Sequence, residues 1–211
     1  MGLLISNVLG YGLSWEWWEL DRREREGILS EVSAVTSHAK SSGFLKAETY
    51  ESLRYDCNLI FWLLAEEPKE VMSVKAGLDK SFGKYATARY GFLSAYENKG
   101  GKDTKGKDYF VAYPISKSPE WYLLDRGDRM GIMAEHTNMA ITDPNNKGIN
   151  SYTTMSFGID DNEFVVLYEL DSIQDWVLVT QNLRSAKARR WITNEKPILV
   201  GHKSSMEILL I

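Results

Sequence analysis

Cysteine, histidine and proline are scarce in this chain: one, three and five among 211 residues. A single thiol, Cys57, excludes an intramolecular disulfide and fits a reducing compartment. Set in an apolar stretch, it reads as a buried strand thiol without reactivity. The three histidines, His38, His136 and His202, have no Cys or acidic neighbours at the spacing a zinc site needs. An excess of basic charge is also missing. The net charge is -4 with both signs mixed, which leaves no cationic face for nucleic acid. No apolar run approaches the ~18 residues of a membrane span. The apolar start MGLLISNVLGYGL lacks the basic segment and small-residue cleavage site of a secretory leader. The chain therefore reads as cytoplasmic, working without membrane or nucleic acid. There is no phosphate loop, nucleophile elbow or GxGxxG opening a helix.

Aromatic residues are plentiful, with 7 Trp and 11 Tyr. Such rings fill large cores and subunit interfaces, and they also line flat pockets. The pattern along the chain repeats. In the first half, Leu3 to Leu13 reads as a strand and Ser14 as the cap of one helix running to Lys40. Phe44 to Leu53 and Cys57 to Leu64 form a hairpin, Pro68 opens a second helix, and Lys84 to Ala95 is a strand. In the second half, Lys107 to Ile115 is a strand, Pro119 to His136 a helix, and Ile149 to Phe157 and Glu163 to Glu169 a hairpin. Asp171 to Arg189 is a helix, and Pro197 to Gly201 a last strand before an apolar tail. Both halves give βαββαβ, the split βαβ plan of ferredoxin-like folds. The expected fold is α+β: two tandem ferredoxin-like domains of the dimeric α/β barrel type. Residues 1–98 and 107–211 are the domains and 99–106 the linker, with two antiparallel sheets packed face to face under outer helices.

The segment from Tyr113 to Asp161 concentrates the residues capable of chemistry. Tyr113 and Lys117 stand on one face of an extended segment, because alternate strand residues share a face and Pro114 keeps its predecessor extended. A phenol and an amine side by side can move an electron and a proton together. His136 falls in the last turn of its helix, where a lone imidazole either caps the helix or faces a metal; one axial His suits iron held by a porphyrin. Trp121 and Tyr122 open that helix and suit either a core or the wall of a flat ligand. Gly158-Ile159-Asp160-Asp161 reads as a tight turn. Taken singly, each residue has an ordinary structural role open to it.

Taken in order, these boxes resemble the chlorite dismutase family, which includes the coproheme decarboxylases. The matching residues are Tyr113-Pro114-Ile115-Ser116-Lys117, Trp121-Tyr122, Arg129, Met133-Ala134-Glu135-His136 and Gly158-Ile159-Asp160-Asp161, with echoes at Leu183-Arg184 and Arg190-Trp191. The resemblance implies a haem or iron coproporphyrin pocket in the second half, commonly within a ring of five subunits. It places His136 as the axial ligand and Trp121, Tyr122 and Ser151 around the cofactor. Tyr113 and Lys117 fall on the residues that act on a propionate with peroxide as electron acceptor. The chain also departs from the family. Ser151, or Asn150, stands where chlorite dismutases carry Arg and many decarboxylases Gln, so chlorite breakdown is not expected. Around Ala186-Lys187 no acid is available to orient His136, and the loop after His136 is longer. These departures keep open a haem-free or non-enzymatic role as carrier, sensor or structural ring. A cofactor-free monooxygenase on the same plan is a further reading.

Overall fold

The computed structural model describes residues 2–98 and 106–211; of the linker expected at 99–106, only Gly106 falls among them. In the first half, β1 (Leu3–Leu13), β2 (Lys46–Ser52), β3 (Leu59–Ala65) and β4 (Ala86–Glu97) pair in the order β4-β1-β3-β2. In the second, β5 (Tyr109–Lys117), β6 (Ile149–Met155) and β7 (Phe164–Leu170) are followed by a short β8 (Ile192–Asn194) and β9 (Leu199–Lys203). There the order is β6-β7-β5-β9, with β8 on the far end of β5. Every pairing is antiparallel.

The expected pair of stacked sheets is not what forms. β9 pairs with β2, and β6 meets β4, so the two runs join edge to edge into a closed ring of eight strands. Closure has a physical reason: each half-sheet ends in two rows of unpaired backbone groups, and joining the edges satisfies them. The β4–β6 seam is narrow, with Ala95 opposite Met155 as its one register pair. The turn at Gly158 to Asp161 reinforces it. Gly158 takes a positive φ of 73°. Asp160 Oδ2 then accepts a 2.6 Å hydrogen bond from the Leu93 backbone N–H on β4.

The ring interior is filled from both halves by Val8, Tyr50, Trp62, Phe110, Tyr152, Leu167 and Leu199. Phe110 stacks on Tyr50 at 4.7 Å and on Trp62 at 5.2 Å, so much of the aromatic content is core. Lys46 on β2 and Glu169 on β7 form a buried ion pair at 2.8 Å across this interior. The Tyr152 hydroxyl donates to the other Glu169 oxygen at 2.7 Å. Cys57 is buried just before β3 rather than within it, and burial pushes its thiol up to about 11.

Three expected helices are interrupted or end early. The first is α1 (Trp15–Glu19) and α2 (Arg22–Ser41), separated because Asp21 and Glu24 form a capping box that starts a new helix. After α3 (Pro68–Phe82), the helix expected from Pro119 to His136 is α4 (Pro119–Leu123) and α5 (Arg126–Thr142). Leu124, extended at ψ 147°, breaks them apart. The last, α6 (Ile173–Asn182), gives way to 3-10 turns at Leu183–Ser185 and Lys187–Trp191. The tail is a 3-10 turn, Glu207–Leu210.

The two helix layers differ. Over the first half, Val32, Val71, Leu78 and Phe82 of α2 and α3 are buried against Leu9, Tyr11, Phe61 and Leu63 of the strands. Over the second, α6 buries Val179 alone and α5 buries nothing. Helix α5 leans on the 3-10 turns around it more than on any strand. The outer face of the second half is thus left unsealed.

Candidate functional site

Strand alternation sends Phe110 and Ala112 of β5 into the ring and Tyr113 and Lys117 onto the unsealed outer face. Tyr113 lies opposite Val166, and Tyr168 of β7 lies opposite Ser151 of β6. Tyr113, Lys117, Tyr168 and Ser151 therefore share one face. Asn150, opposite the fully buried Glu169, belongs to the other face, and its Nδ2 is buried without a partner. Of the two distal candidates, Ser151 is the one on the face of Tyr113.

His136 lies in the middle of α5 and not in its last turn, because the helix continues to Thr142. It stops there because Asp143 precedes Pro144 and is held extended at ψ 125°. His136 consequently gains nothing from the negative end of the helix dipole. Burial, and then the nearby positive charge of Lys117, hold its pKa below the ordinary imidazole range. Its Nδ1 is buried with no hydrogen-bond partner. The neighbouring acid is committed elsewhere: Glu135 Oε2 accepts from the Lys187 backbone N–H at 3.0 Å. His136 is thus neutral at physiological pH, the form that ligates metals. Among the described residues no group of three or more His, Cys, Asp or Glu could hold an ion. A metal at His136 would need its remaining ligands from a cofactor.

Lys117 links strand and helix. Its Nζ is 3.9 Å from Met133 Sδ, one turn before His136 on α5. It also lies 3.5 Å from the centroid of the Trp121 ring. Burial pulls its pKa down to about 8, against the pull of Glu163. Its backbone N–H donates to Glu163 Oε2 at 2.8 Å, and the Tyr122 hydroxyl donates to the same oxygen at 2.7 Å. Trp121 is buried between Lys117 and Trp191, whose ring centroid is 5.3 Å away, so it acts as floor. Tyr122 is partly exposed, and with Phe157 and Phe164 it forms an aromatic wall.

Tyr113 has partners the sequence did not disclose. Its ring stacks on Tyr168 at 6.1 Å, and Tyr168 meets Trp176 of α6 at 4.2 Å. Burial raises the pKa of both phenols. Arg184 and Arg189 pair with Glu195 alongside. Tyr168 is detectable by the same alternation that singled out Tyr113. The second half thus carries a protonated phenol and a titratable amine on one sheet face, with a neutral imidazole near the amine on α5.

A family model described as Chlorite dismutase matches residues 25–204. A coproheme decarboxylase of Mycolicibacterium smegmatis is 22% identical over 200 residues, which span 89% of this chain and 85% of that protein. A crystal structure provisionally named a chlorite dismutase matches with a TM-score of 0.92 at 36% identity, covering 99% of this chain and 98% of the other. A mutant chlorite dismutase from Candidatus Nitrospira defluvii matches with a TM-score of 0.85 at 22% identity, over 98% of this chain and 94% of its own. At that identity the likeness is one of fold.

Proposed function

Because this chain belongs to the chlorite dismutase family, we propose that it holds an iron porphyrin between α5 and the outer face of β5–β7–β6, where His136 would ligate the iron. The observation that carries this reading is the asymmetry of the helix layers: α5 buries no residue of its own, while the corresponding face of the first half is packed shut. The residues present fit such a group. His136 is neutral and partly buried, the wall is aromatic, and Lys117 offers an ammonium for a propionate. The tandem ferredoxin-like plan belongs to the same proposal, since each half pairs its strands in the corresponding order. So does a homopentameric assembly.

The chemistry we propose is peroxide-dependent decarboxylation of iron coproporphyrin. The bound iron would pass the oxidising power of hydrogen peroxide into the site. Conversion of a propionate to a vinyl group releases CO2, a proton and two electrons; the electrons, that proton and one more from solvent reduce hydrogen peroxide to two waters. Lys117 would hold the propionate carboxylate. Tyr113, kept protonated by burial, would give up its phenolic hydrogen and take one from the substrate. Trp121 would support Lys117 from below, and Tyr122 would flank the ring. Ser151 carries no charge with which to hold an oxyanion, so chlorite breakdown is not part of the proposal. The test is the mass of iron coproporphyrin after incubation with protein and peroxide. Loss of one or two carboxyl groups in the wild type, and none with Tyr113→Phe, is expected; an unchanged mass in the wild type excludes the reaction.

One observation favours a second reading. His136 Nδ1 has no hydrogen-bond partner, and loss of such a partner costs about 10–100-fold in metal affinity. On that reading the chain is a weak haem binder or haem-free member, acting as carrier, sensor or structural oligomer.

A further inference from the structure

The second seam of the ring, where β2, β9 and β5 run side by side, carries a separate cleft of about 560 Å3 on its outer face. That volume lies within the range of small-molecule sites, about 300–1,000 Å3. The strand register places Glu51 opposite His202, and His202 opposite Tyr109. Three polar side chains thus form a row across three strands, and all three line the cleft. The walls are apolar: Trp18 of α1, Ile173 at the start of α6 and Ile208 of the C-terminal turn. Trp18 and Ile208 remain 44% and 56% exposed, so no described residue covers that apolar surface.

Glu51 is the informative residue. Its Oε1 is buried and has no hydrogen-bond partner. Buried carboxylate oxygens are ordinarily paired, and an orphan calls for an explanation. Two arginines of the flanking segments are committed elsewhere. Arg54 makes a bidentate pair with Asp56 at 2.8 Å for each contact, and Arg25 donates to the carbonyls of Leu20 and Ile211. An unanswered carboxylate beneath apolar walls is complementary to a positive group on a hydrocarbon body.

We infer that this cleft binds a small organic cation, an amine whose ammonium pairs with Glu51 and whose apolar portion lies against Trp18, Ile173 and Ile208. The site is independent of the porphyrin reading and shares no residue with it. Phenethylamine and 3-phenylpropionate, alike in size and opposite in charge, serve as probes of the full chain by calorimetry and amide NMR. The amine should bind at least tenfold more tightly than the acid and shift the amides of Glu51, His202 and Tyr109. The isosteric Glu51→Gln should lose that preference with an unchanged melting temperature, whereas Glu51→Asp should keep it. Equal affinity for the two probes, shifts confined to other regions, or an amine preference that survives Glu51→Gln would overturn the assignment. So would failure of the amine to bind, including because a second copy covers the cleft.

Discussion

Protonation governs the candidate porphyrin site at the scale of single residues. Lys117 titrates near 8 in the folded chain, against about 10.4 for a free lysine. Between those values the unfolded chain holds a proton that the folded chain has released. The Lys117 contribution to stability therefore rises with pH across that window. The difference in melting temperature between wild type and Lys117→Met should narrow, or turn in favour of wild type, from pH 7 to pH 10. Affinity for a porphyrin propionate has the opposite sign, because the ammonium is lost as pH rises through about 8. Titrations with iron coproporphyrin at pH 7 and pH 9 should show weaker binding at the higher pH, and Lys117→Met should flatten that difference. His136, depressed by burial and by Lys117, keeps its lone pair down to a more acidic pH than a free imidazole. The strand register sets Ser151 on the face of Tyr113 and its alternative Asn150 on the other.

At the scale of elements, two short polar motifs do structural duty. Asp160 supplies with its side chain a hydrogen bond that the narrow β4–β6 seam lacks. Asp160→Ala leaves the Leu93 N–H without that acceptor and should cost about 1–3 kcal/mol in urea unfolding. Asp21→Ala removes the cap of α2 and should cost about 1 kcal/mol. The strands were legible in the sequence because alternation and turn residues mark them locally. The start of α2 was hidden because its capping box sits within a charged run that reads as solvated surface. β8 escaped notice because three residues carry no periodicity. His136 was expected at a helix end because the polar run after it looked like a loop, yet α5 extends to the proline boundary. The spacing of Tyr113 and Lys117 implies a shared strand face, and β5 carries both. Tyr168 was within reach of the same strand alternation, whereas Trp176, which meets Tyr168, and Glu195, which lies by Tyr113, come from distant segments that only folding brings together.

At the scale of the whole molecule, ring closure and unequal helix layers are the governing features. Closure was not legible, because it depends on which sheet edges find one another and each seam joins residues far apart in the chain. The buried Lys46–Glu169 pair spans the closed interior from one half to the other. Lys46→Met leaves Glu169 buried and uncompensated and should cost about 3–5 kcal/mol in denaturant unfolding. Adding Glu169→Leu should restore much of that loss, since a buried pair contributes little beyond its apolar equivalent. A sealed first half and an unsealed second half leave α5 with no residue buried against its sheet, and the central claim is that a porphyrin lies between them with His136 on its iron. The most direct measurement is absorption titration of the purified protein with iron coproporphyrin, in parallel with a His136→Ala variant of unchanged melting temperature. A saturable Soret shift in the wild type, weakened at least tenfold by the substitution, is the predicted result; no shift in the wild type, or an equal shift in the variant, would contradict it.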